Sequence, residues 1–363
     1  MCHSASKKVY SPREPEKSPF FQIVSKYFDE FERIYSEKYQ KTYGFWRPVI
    51  RRSIDKFIKC GDLREGFARV KCTSCDKEMF VPFSCRQRCC CPSCHQKRVL
   101  LLAYHLGDEV IEQVPHRQFV FTIPKRFRIF FRYNRKLLGK LSLAAWETVR
   151  DVFIEECGCQ EAYPGMISGV QTFGDLINFH PHIHALVPCG IFLKSGCFVP
   201  IDGIPTEKFL TLWQKKVFAL LLNEDRITPE LIADMSRWRH SGFSMDQSVY
   251  VEKGDNKGIQ RIIEYMARCP FSLSRVIKLT DEGKVLYRTG KSNTVHFPIL
   301  GDKTLKAGIK RNFEVFDPCD FLAEVTQHIP DRGEHQGITA GIQTRCVDKG
   351  PSGRPAKNPM MRE

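Results

Sequence analysis

The sequence of 363 residues contains no run of about 18 uncharged apolar residues, so we expect no helix that spans a membrane. It also has no apolar segment after Met1, where Lys7 and Lys8 follow within a few residues. We therefore expect no secretory leader and a cytoplasmic location. Negative charge is scarce, with 41 Asp and Glu against 56 Lys and Arg and a formal net charge of +15. This excess of positive charge indicates a polyanionic partner, and nucleic acid is the first candidate.

Cysteine, by contrast, is abundant: the chain has 16, and seven of them lie between Cys72 and Cys94. A disulfide framework would be spread over a short secreted chain, so the clustering favours thiolate ligands of a metal ion in a reducing compartment. Two C-x-x-C pairs, Cys72 with Cys75 and Cys91 with Cys94, are separated by 15 residues, a spacing typical of zinc ribbons. Four thiolates in a tetrahedron leave no open position, so we predict a structural Zn²⁺ site.

The same segment leaves several assignments open. Cys85, Cys89, Cys90 or His95 can replace one of the four zinc ligands or belong to a second site, and a redox-active cysteine cluster is the alternative to zinc. The segment is also strongly basic, which suits contacts with a phosphate backbone, although a solvated basic surface has the same composition. The predicted DNA-binding residues here are Arg86, Arg88, Lys97 and Arg98.

Hydrophobic periodicity predicts an α+β protein of several domains. Helices are predicted over residues 20–39, 46–58, 95–114, 137–154, 206–223, 228–238 and 257–268. Strands are predicted over residues 118–123, 166–173 and 182–187, and a closing hairpin over residues 284–289 and 294–297. The chain is divided into an N-terminal helical region (1–63), a zinc-binding and DNA-binding domain (64–114), a third domain (115–300) and a C-terminal segment (301–363).

Three of the 11 histidines, His180, His182 and His184, lie within five residues. Alternate residues of a strand share a face, so His182 and His184 point the same way while Ile183 is buried behind them. Two imidazoles about 6–7 Å apart along a strand can hold one divalent ion. The alternative is a set of hydrogen-bonded core histidines. Pro181 has no amide donor for a sheet, which places His180 at the start of the strand or at an edge.

The pattern His-hydrophobic-His on a strand resembles the signature of the HUH single-strand nucleases. The motifs C-P-S-C-H at residues 91–95 and N-F-H-P-H-I-H-A-L-V at residues 178–187 are similar to those of the insertion-sequence-91 family of rolling-circle transposases. The resemblance implies an HUH-type antiparallel sheet with packed helices, preceded by N-terminal helices and the zinc ribbon. It also implies that a tyrosine attacks a scissile phosphate, forms a 5′-phosphotyrosine and releases a 3′-OH, with Mg²⁺ or Mn²⁺ bound by His182 and His184.

The resemblance places the nucleophile at Tyr265, in a segment that periodicity predicts to be a helix. The apolar stripe of this helix, at positions i, i+3, i+4 and i+7, consists of Ile259, Ile262, Ile263 and Met266. Tyr265 lies about 100° away from the centre of the stripe, on the side of Arg261 and Arg268. We therefore predict that Tyr265, His182 and His184 are catalytic and that Arg261 and Arg268 contact DNA.

The sequence departs from the family in one respect. The founding members carry two tyrosines four residues apart, and the second position is occupied here by Cys269. We therefore expect a single-tyrosine variant, in which it is an open question whether one tyrosine performs both strand transfers. A third metal ligand is usual in such sites, and the sequence leaves His180 and Gln171 as candidates.

Residues 125–136 interleave cations with aromatic rings, a mixture typical of segments that bind single-stranded nucleic acid. On this reading Lys125, Arg126 and Arg128 contact DNA. The alternative is a basic amphipathic connection whose rings are buried in the core.

Residues 337–363 have no apolar periodicity, where the family continues with an aromatic stretch. Reading the back-translated segment two bases along permits that stretch. We therefore hypothesise a frameshift near Gln336, which makes residues 337–363 a disordered tail.

Together these features predict a zinc-ribbon transposase that nicks and rejoins single-stranded DNA at insertion-sequence ends. The expected partners are element ends and target DNA and not a membrane, and a homodimer is an option. One alternative is a rolling-circle replication initiator with the same chemistry, against which the zinc domain argues. The other is a non-catalytic zinc-ribbon regulator, for which Tyr265 and the histidine strand are dispensable.

Overall fold

A computed structural model of the protein describes residues 14–159, 161–289, 294–296, 299–300, 303–304, 309–331, 333 and 339–340. It confirms the predicted α+β fold of helices and antiparallel sheets with an N-terminal cysteine cluster. The helices are α1 (Pro19–Lys38), α2 (Gln40–Tyr43), α3 (Pro48–Ile58), α4 (Pro92–His105), α5 (Arg128–Tyr133), α6 (Lys136–Cys157), α7 (Thr206–Asn223), α8 (Pro229–Met235), α9 (Asn256–Met266) and α10 (Pro318–Thr326). None of these described helices is long and apolar enough to cross a membrane.

The strands fall into one five-stranded sheet and several small ones. In chain order they are β1 (Phe67–Lys71), β2 (Glu78–Pro82), β3 (His116–Thr122), β4 (Ala162–Pro164), β5 (Ile167–Phe173), β6 (Phe179–Pro188), β7 (Gly190–Leu193), β8 (Phe198–Pro200), β9 (Ser244–Val251), β10 (Val276–Leu279), β11 (Val285–Arg288), β12 (Thr294–His296), β13 (Ile299–Leu300), β14 (Lys303–Thr304), β15 (Ile309–Arg311), β16 (Phe313–Phe316) and β17 (Thr339–Ala340). The main sheet has the order β17-β5-β6-β3-β9, and all of its pairs are antiparallel.

The main sheet is covered by helices on both faces. On one face α6 and α7 pack on Phe119, Phe121 and Ile183, all of which are buried. The indole of Trp213 on α7 joins this core and donates a hydrogen bond of 2.9 Å to the carbonyl of Thr122 on β3. Because side chains alternate along a strand, residues 182 and 184 of β6 face the opposite side, where α4 and α9 lie.

A second core joins the two ends of the chain. The helices α1 and α3 pack with α10 and with the small sheet β10-β11-β16, and the ring of Phe20 contacts those of Phe57 and Phe271. The guanidinium of Arg47 donates to the carbonyls of Thr326 and Ile329 at the end of α10, at 3.0 and 2.6 Å. The N-terminal helices and residues 313–329 therefore form one packed unit.

Several predicted boundaries need correction. The predicted closing hairpin is wrong, because β11 pairs with β10 and β16, whereas β12 pairs with β15. The helix predicted over residues 95–114 ends at His105 and continues as a π-helical turn, Leu106–Val110. Of the tail, the structure describes only Thr339–Ala340, which pair with β5; the frameshift hypothesis otherwise lies outside the described residues.

Candidate active site and cysteine cluster

The histidine pair lies in the middle of the main sheet. On β6, His182 is directly opposite Gln171 of β5 and Thr122 of β3, and His184 is opposite Val120 of β3. The two imidazole rings have centroids 4.8 Å apart, and 9% and 3% of their residues' surfaces are exposed. Both rings therefore lie on one face of the sheet, at the floor of the space between α4 and α9.

Hydrogen bonds orient the two imidazoles. The Nδ1–H of His182 donates to the carbonyl of His180 at 2.7 Å, which leaves its Nε2 as a lone-pair donor. Nδ1 of His184 is 3.1 Å from the amide nitrogen of Gln118. Nε2 of His184 is buried with no hydrogen-bond partner among the described residues. If the Gln118 amide presents its oxygen to Nδ1–H, Nε2 of His184 also carries a free lone pair, since either amide orientation fits the same space.

The protonation state of the histidines suits metal binding. Burial lowers the pKa of His182 to about 4 and that of His184 to about 3, so both rings are neutral near pH 7. Burial also lowers the pKa of His180 to about 4, and its ring centroid is 5.0 Å from that of His182. Two neutral imidazoles, one of them with a buried Nε2 that has no partner among the described residues, are a donor set that fits a divalent cation.

Tyr265 stands beside this pair because of the way α9 is built. The carboxylate of Asp255 caps the helix by accepting from the amide of Gly258 at 2.8 Å. A side chain at position 258 would meet that cap, since a Cβ there would be 2.3 Å from Oδ2 of Asp255. The apolar stripe of α9 is buried against Ile167 and Leu186 of the sheet. This packing turns Tyr265 away from the core, with 45% of its surface exposed.

The tyrosine ring lies close to both His184 and a cation. Its centroid is 5.2 Å from that of His184, with the two ring planes perpendicular. The guanidinium carbon of Arg268 is 4.4 Å from the Tyr265 ring centroid. The Tyr265 ring is therefore close to both a neutral, buried imidazole and a positive charge.

The end of α9 is held by two residues. Gln171, one candidate for a third metal ligand, uses its amide nitrogen to donate to the carbonyls of Tyr265 and Met266, at 2.6 and 3.0 Å. Its Oε1 is buried without a partner among the described residues. His95 of α4 hydrogen-bonds the carbonyl of Ala267 at 2.7 Å. Gln171 thus has a positional role, whether or not its oxygen also binds an ion.

The position that carries a second tyrosine in the founding members of the family lies outside this helix. Because α9 ends at Met266 and Ala267 is its C-cap, Cys269 lies beyond the helix, although it lines the same groove as Tyr265. Burial of the sulfur raises the pKa of the Cys269 thiol well above its usual range. This cysteine is therefore a poor nucleophile.

The site opens into a groove of about 1590 Å³. One wall is α4, through Gln96, Lys97 and Leu100, and the floor includes His180, His182 and His184. Two of the predicted DNA-binding cations, Lys97 and Arg268, line the groove. A third predicted cation, Arg128, lies near the histidines. Burial makes the largest contribution to the lowered pKa of His180 and His182, and the positive charge of Arg128 lowers it further.

The remaining predicted DNA-binding cations do not line this groove. Arg261 is exposed and 3.7 Å from the carboxylate of Asp255. In residues 125–133 the rings of Phe127 and Phe131 are fully buried, so the alternative of a connection with buried rings holds for them. The predicted cations outside the groove lining are Arg86, Arg88, Arg98, Lys125, Arg126, Arg128 and Arg261.

Four cysteine sulfurs meet where the end of α3, the loop before α4 and the first turn of α4 come together. They belong to Cys60, Cys85, Cys91 and Cys94 and lie within 4.8 Å of one another. Sγ of Cys60 is 3.9 Å from that of Cys91 and 3.6 Å from that of Cys94, and the Cys85–Cys94 distance is 3.7 Å. Zn–S bonds of about 2.3 Å in a tetrahedron place sulfurs about 3.8 Å apart, so the cluster fits structural zinc.

The electrostatics of the cluster point the same way. Hydrogen bonds from Cys85 and Cys91 lower the pKa of the Cys60 thiol to about 7. Hydrogen bonds from Cys60, Cys85 and Cys91 hold the pKa of Cys94 far below its ordinary value, while hydrogen bonds with Cys60, Cys85 and Cys94 raise the pKa of Cys91. Four thiolates can therefore exist together here only around a cation.

This quartet corrects the predicted ligand set. Cys91 and Cys94 take part as predicted, and Cys85 is one of the replacements that the sequence left open. Cys60 was not predicted, and Cys72 and Cys75 are not part of the group. Cys72 and Cys75 lie on the turn of the β1-β2 hairpin, whose strands are mostly exposed, and Cys72 contacts Ser74 at 3.1 Å. The spacing argument missed Cys60 because a lone cysteine at a helix end gives no motif; only its position in the fold shows its role.

Comparison with known proteins identifies the chain. Residues 30–123 match the family model of a transposase zinc-binding domain, and residues 165–348, about half of the chain, match a model described as "Putative transposase". The transposase for insertion sequence element IS801 of Pseudomonas savastanoi pv. phaseolicola is 24% identical over 303 residues, which covers 80% of this chain and 69% of that protein. A second relative, "Putative transposase y4qJ" of Sinorhizobium fredii (strain NBRC 101917 / NGR234), is 29% identical over 185 residues, or 48% of this chain and 45% of its own length. No solved structure matches. The two family models cover the cysteine cluster and the histidine–tyrosine site in turn, and the chain belongs to the insertion-sequence-91 family of transposases.

Proposed function

We propose that this transposase nicks and rejoins single-stranded DNA at the ends of its insertion sequence through a covalent 5′-phosphotyrosine at Tyr265. The observation that carries the proposal is the position of the Tyr265 ring, 5.2 Å from His184 and 4.4 Å from the guanidinium carbon of Arg268, at the wall of an open groove. A nucleophile, a pair of metal-binding imidazoles and a cation at one point are the parts that phosphoryl transfer needs.

In this reaction the phenol oxygen of Tyr265 bonds to the scissile phosphorus and its proton passes to solvent. The bond from phosphorus to the 3′ oxygen breaks, and that oxygen takes up a proton from solvent. The Arg268 guanidinium offsets the negative charge that develops on the phosphoryl oxygens. His182 and His184 would hold a Mg²⁺ or Mn²⁺ ion, which supplies Lewis-acid polarisation of a phosphoryl oxygen when bound. The liberated 3′-OH can attack the phosphorus of a phosphotyrosine in turn, which re-forms a phosphodiester and releases the tyrosine, so the bond energy is conserved.

We further propose that Tyr265 acts as the only nucleophile of the site. Cys269 lies beyond the end of α9, and its thiol has a raised pKa, so it does not replace a second tyrosine. A single nucleophile must be regenerated before a second strand is cut. Cleavage of two ends by one chain is therefore sequential.

The test uses purified full-length protein, Mn²⁺ and labelled single strands that tile the two ends of the element. We expect a covalent protein–DNA adduct that survives denaturation, and peptide mass spectrometry should locate the nucleotide on Tyr265. Tyr265→Phe and His184→Ala should form no adduct, whereas Tyr104→Phe, which changes an exposed tyrosine of α4, should match wild type. Absence of an adduct on every strand, or an equal adduct with Tyr265→Phe, would refute the proposal and favour a non-catalytic DNA-binding role.

A further inference from the structure

One hydrogen-bonding residue connects the cysteine cluster to the helix of the nucleophile. His95 directly follows the quartet member Cys94, in the first turn of α4, and is 7% exposed. Its Nδ1 accepts a hydrogen bond from the backbone amide of Cys89 at 3.0 Å. Since a neutral imidazole has one donor and one acceptor, its Nε2 carries the proton and donates to the carbonyl of Ala267 at 2.7 Å.

The position of Ala267 gives this contact its consequence. Ala267 is the C-cap of α9, two residues after Tyr265, and its own amide donates to the carbonyl of Ile263 at 2.9 Å. The last carbonyls of a helix have no partner within the helix, so they depend on outside donors. Gln171 supplies donors for the carbonyls of Tyr265 and Met266, and His95 supplies the one for Ala267.

We propose that His95 is a positioning residue for Tyr265. Its hydrogen bond holds the end of α9 against the start of α4, which carries Cys94. Two side chains from two different elements then fix the last turn of α9, Gln171 from the sheet and His95 from the zinc-binding domain. The zinc-binding domain thereby takes part in setting the distance between the Tyr265 ring and His184. The proposal rests on the proposed role of Tyr265 as nucleophile.

The two hydrogen bonds of His95 can be separated by a pair of substitutions. In His95→Asn the side-chain oxygen takes the place of Nδ1 and keeps the bond to the Cys89 amide, but the donor to Ala267 is lost. In His95→Gln the side-chain NH₂ reaches the place of Nε2 and keeps the donor to Ala267. The two variants therefore differ in the contact that the proposal uses, and both retain a polar side chain at the same buried position.

Single-turnover adduct formation at saturating single-stranded DNA is the first measurement, together with the DNA dissociation constant and the zinc content per chain. A misplacement of about 1 Å in a reacting group can lower a rate by about 100-fold, so we expect His95→Asn to slow adduct formation by at least about tenfold. His95→Gln should stay within about threefold of wild type. The DNA dissociation constant and zinc content should not change in either variant.

Hydrogen exchange of the Ala267 amide is a second measurement, and it does not depend on catalysis. Exchange should be faster in His95→Asn than in wild type and unchanged in His95→Gln. Equal losses of rate in the two variants, or a wild-type rate and wild-type exchange in His95→Asn, would overturn the proposal. Failure of wild type itself to form an adduct would refute the function proposed for Tyr265, while the exchange measurement would still decide whether His95 holds the end of α9.

Discussion

Replacing Cys60 by serine should release zinc from this protein, whereas the same change at Cys72 should leave the zinc content unchanged. Cys60 supplies one of four sulfurs that lie within 4.8 Å of one another, and its side chain is buried. Cys72 lies on the hairpin turn and does not belong to the group. Serine keeps the size of the side chain and removes only the thiolate, so the pair of variants isolates metal ligation.

The expected size of the effect follows from the geometry of the quartet. Three of its sulfur–sulfur distances, 3.6 to 3.9 Å, bracket the tetrahedral value of about 3.8 Å, so these contacts suit a bound zinc ion. Structural zinc in small finger modules contributes about 10–16 kcal/mol to folding. An equal share for four thiolates is about 3 kcal/mol, so the loss of one ligand should lower zinc affinity by about a hundredfold.

The assay is zinc content per chain by plasma mass spectrometry after dialysis against a weak competing chelator, with thermal unfolding measured in parallel. Wild type and Cys72→Ser should both retain one zinc and unfold at the same temperature. Cys60→Ser should lose most of its zinc and unfold at a lower temperature, because the quartet packs against the core formed by α1 and α3. Full zinc in Cys60→Ser combined with loss in Cys72→Ser would show that the ligand set is the one expected from spacing.

Three further predictions concern the histidine site and the stability of the fold. Gln118→Ala should weaken Mn²⁺ binding by about 10–100-fold, since it removes the partner of Nδ1 in His184, whereas Gln96→Ala on the groove wall should not; calorimetric titration compares the two. Burial lowers the pKa of His328 to about 3, below the ordinary value of about 6.5, so the unfolded state binds the extra proton as the pH falls below 6.5. The titration of His328 should therefore contribute about 2–3 kcal/mol to the fall in the free energy of unfolding between pH 7 and pH 4.5, in addition to the contributions of other buried histidines such as His184, and His328→Gln should make that fall smaller by this amount in urea titrations. Arg47→Ala removes charged donors from the carbonyls at the end of α10 and should cost about 2–3 kcal/mol by urea unfolding at pH 7, with Arg47→Lys losing less.

The main helices and strands were accessible from local patterns. The helix predicted over residues 206–223 coincides with α7, and the strands predicted over residues 166–173 and 182–187 pair as β5 and β6. Such segments bury one face, so their periodicity records their structure. The prediction of a closing hairpin was wrong because β11 pairs with β10 and β16, and a local sequence pattern does not encode these pairings.

The sequence pattern contained an indication of Gln118, which was not among the predicted site residues. Gln118 lies on the same face of β3 as Val120 and Thr122, whereas Phe119 and Phe121 lie on the other face. A polar residue within this largely apolar strand could therefore be recognised from the sequence. The exact role of Gln118 still needed the fold, because its partner His184 is 66 residues away. His95 is a similar case, since its bond to Ala267 spans 172 residues.

By itself the sequence determined the chemistry available to this protein: an excess of positive charge, clustered thiols, and two histidines that alternate on one strand face. It also determined that Tyr265 turns away from the apolar stripe of α9, because helical geometry follows from spacing alone. Only the tertiary structure decided which groups meet: Cys60 rather than Cys72 in the quartet, Gln118 at His184, and His95 at the end of α9. The physical reason is that periodicity reports which face of an element is buried, whereas a metal cluster or a positioning bond depends on how distant elements pack together.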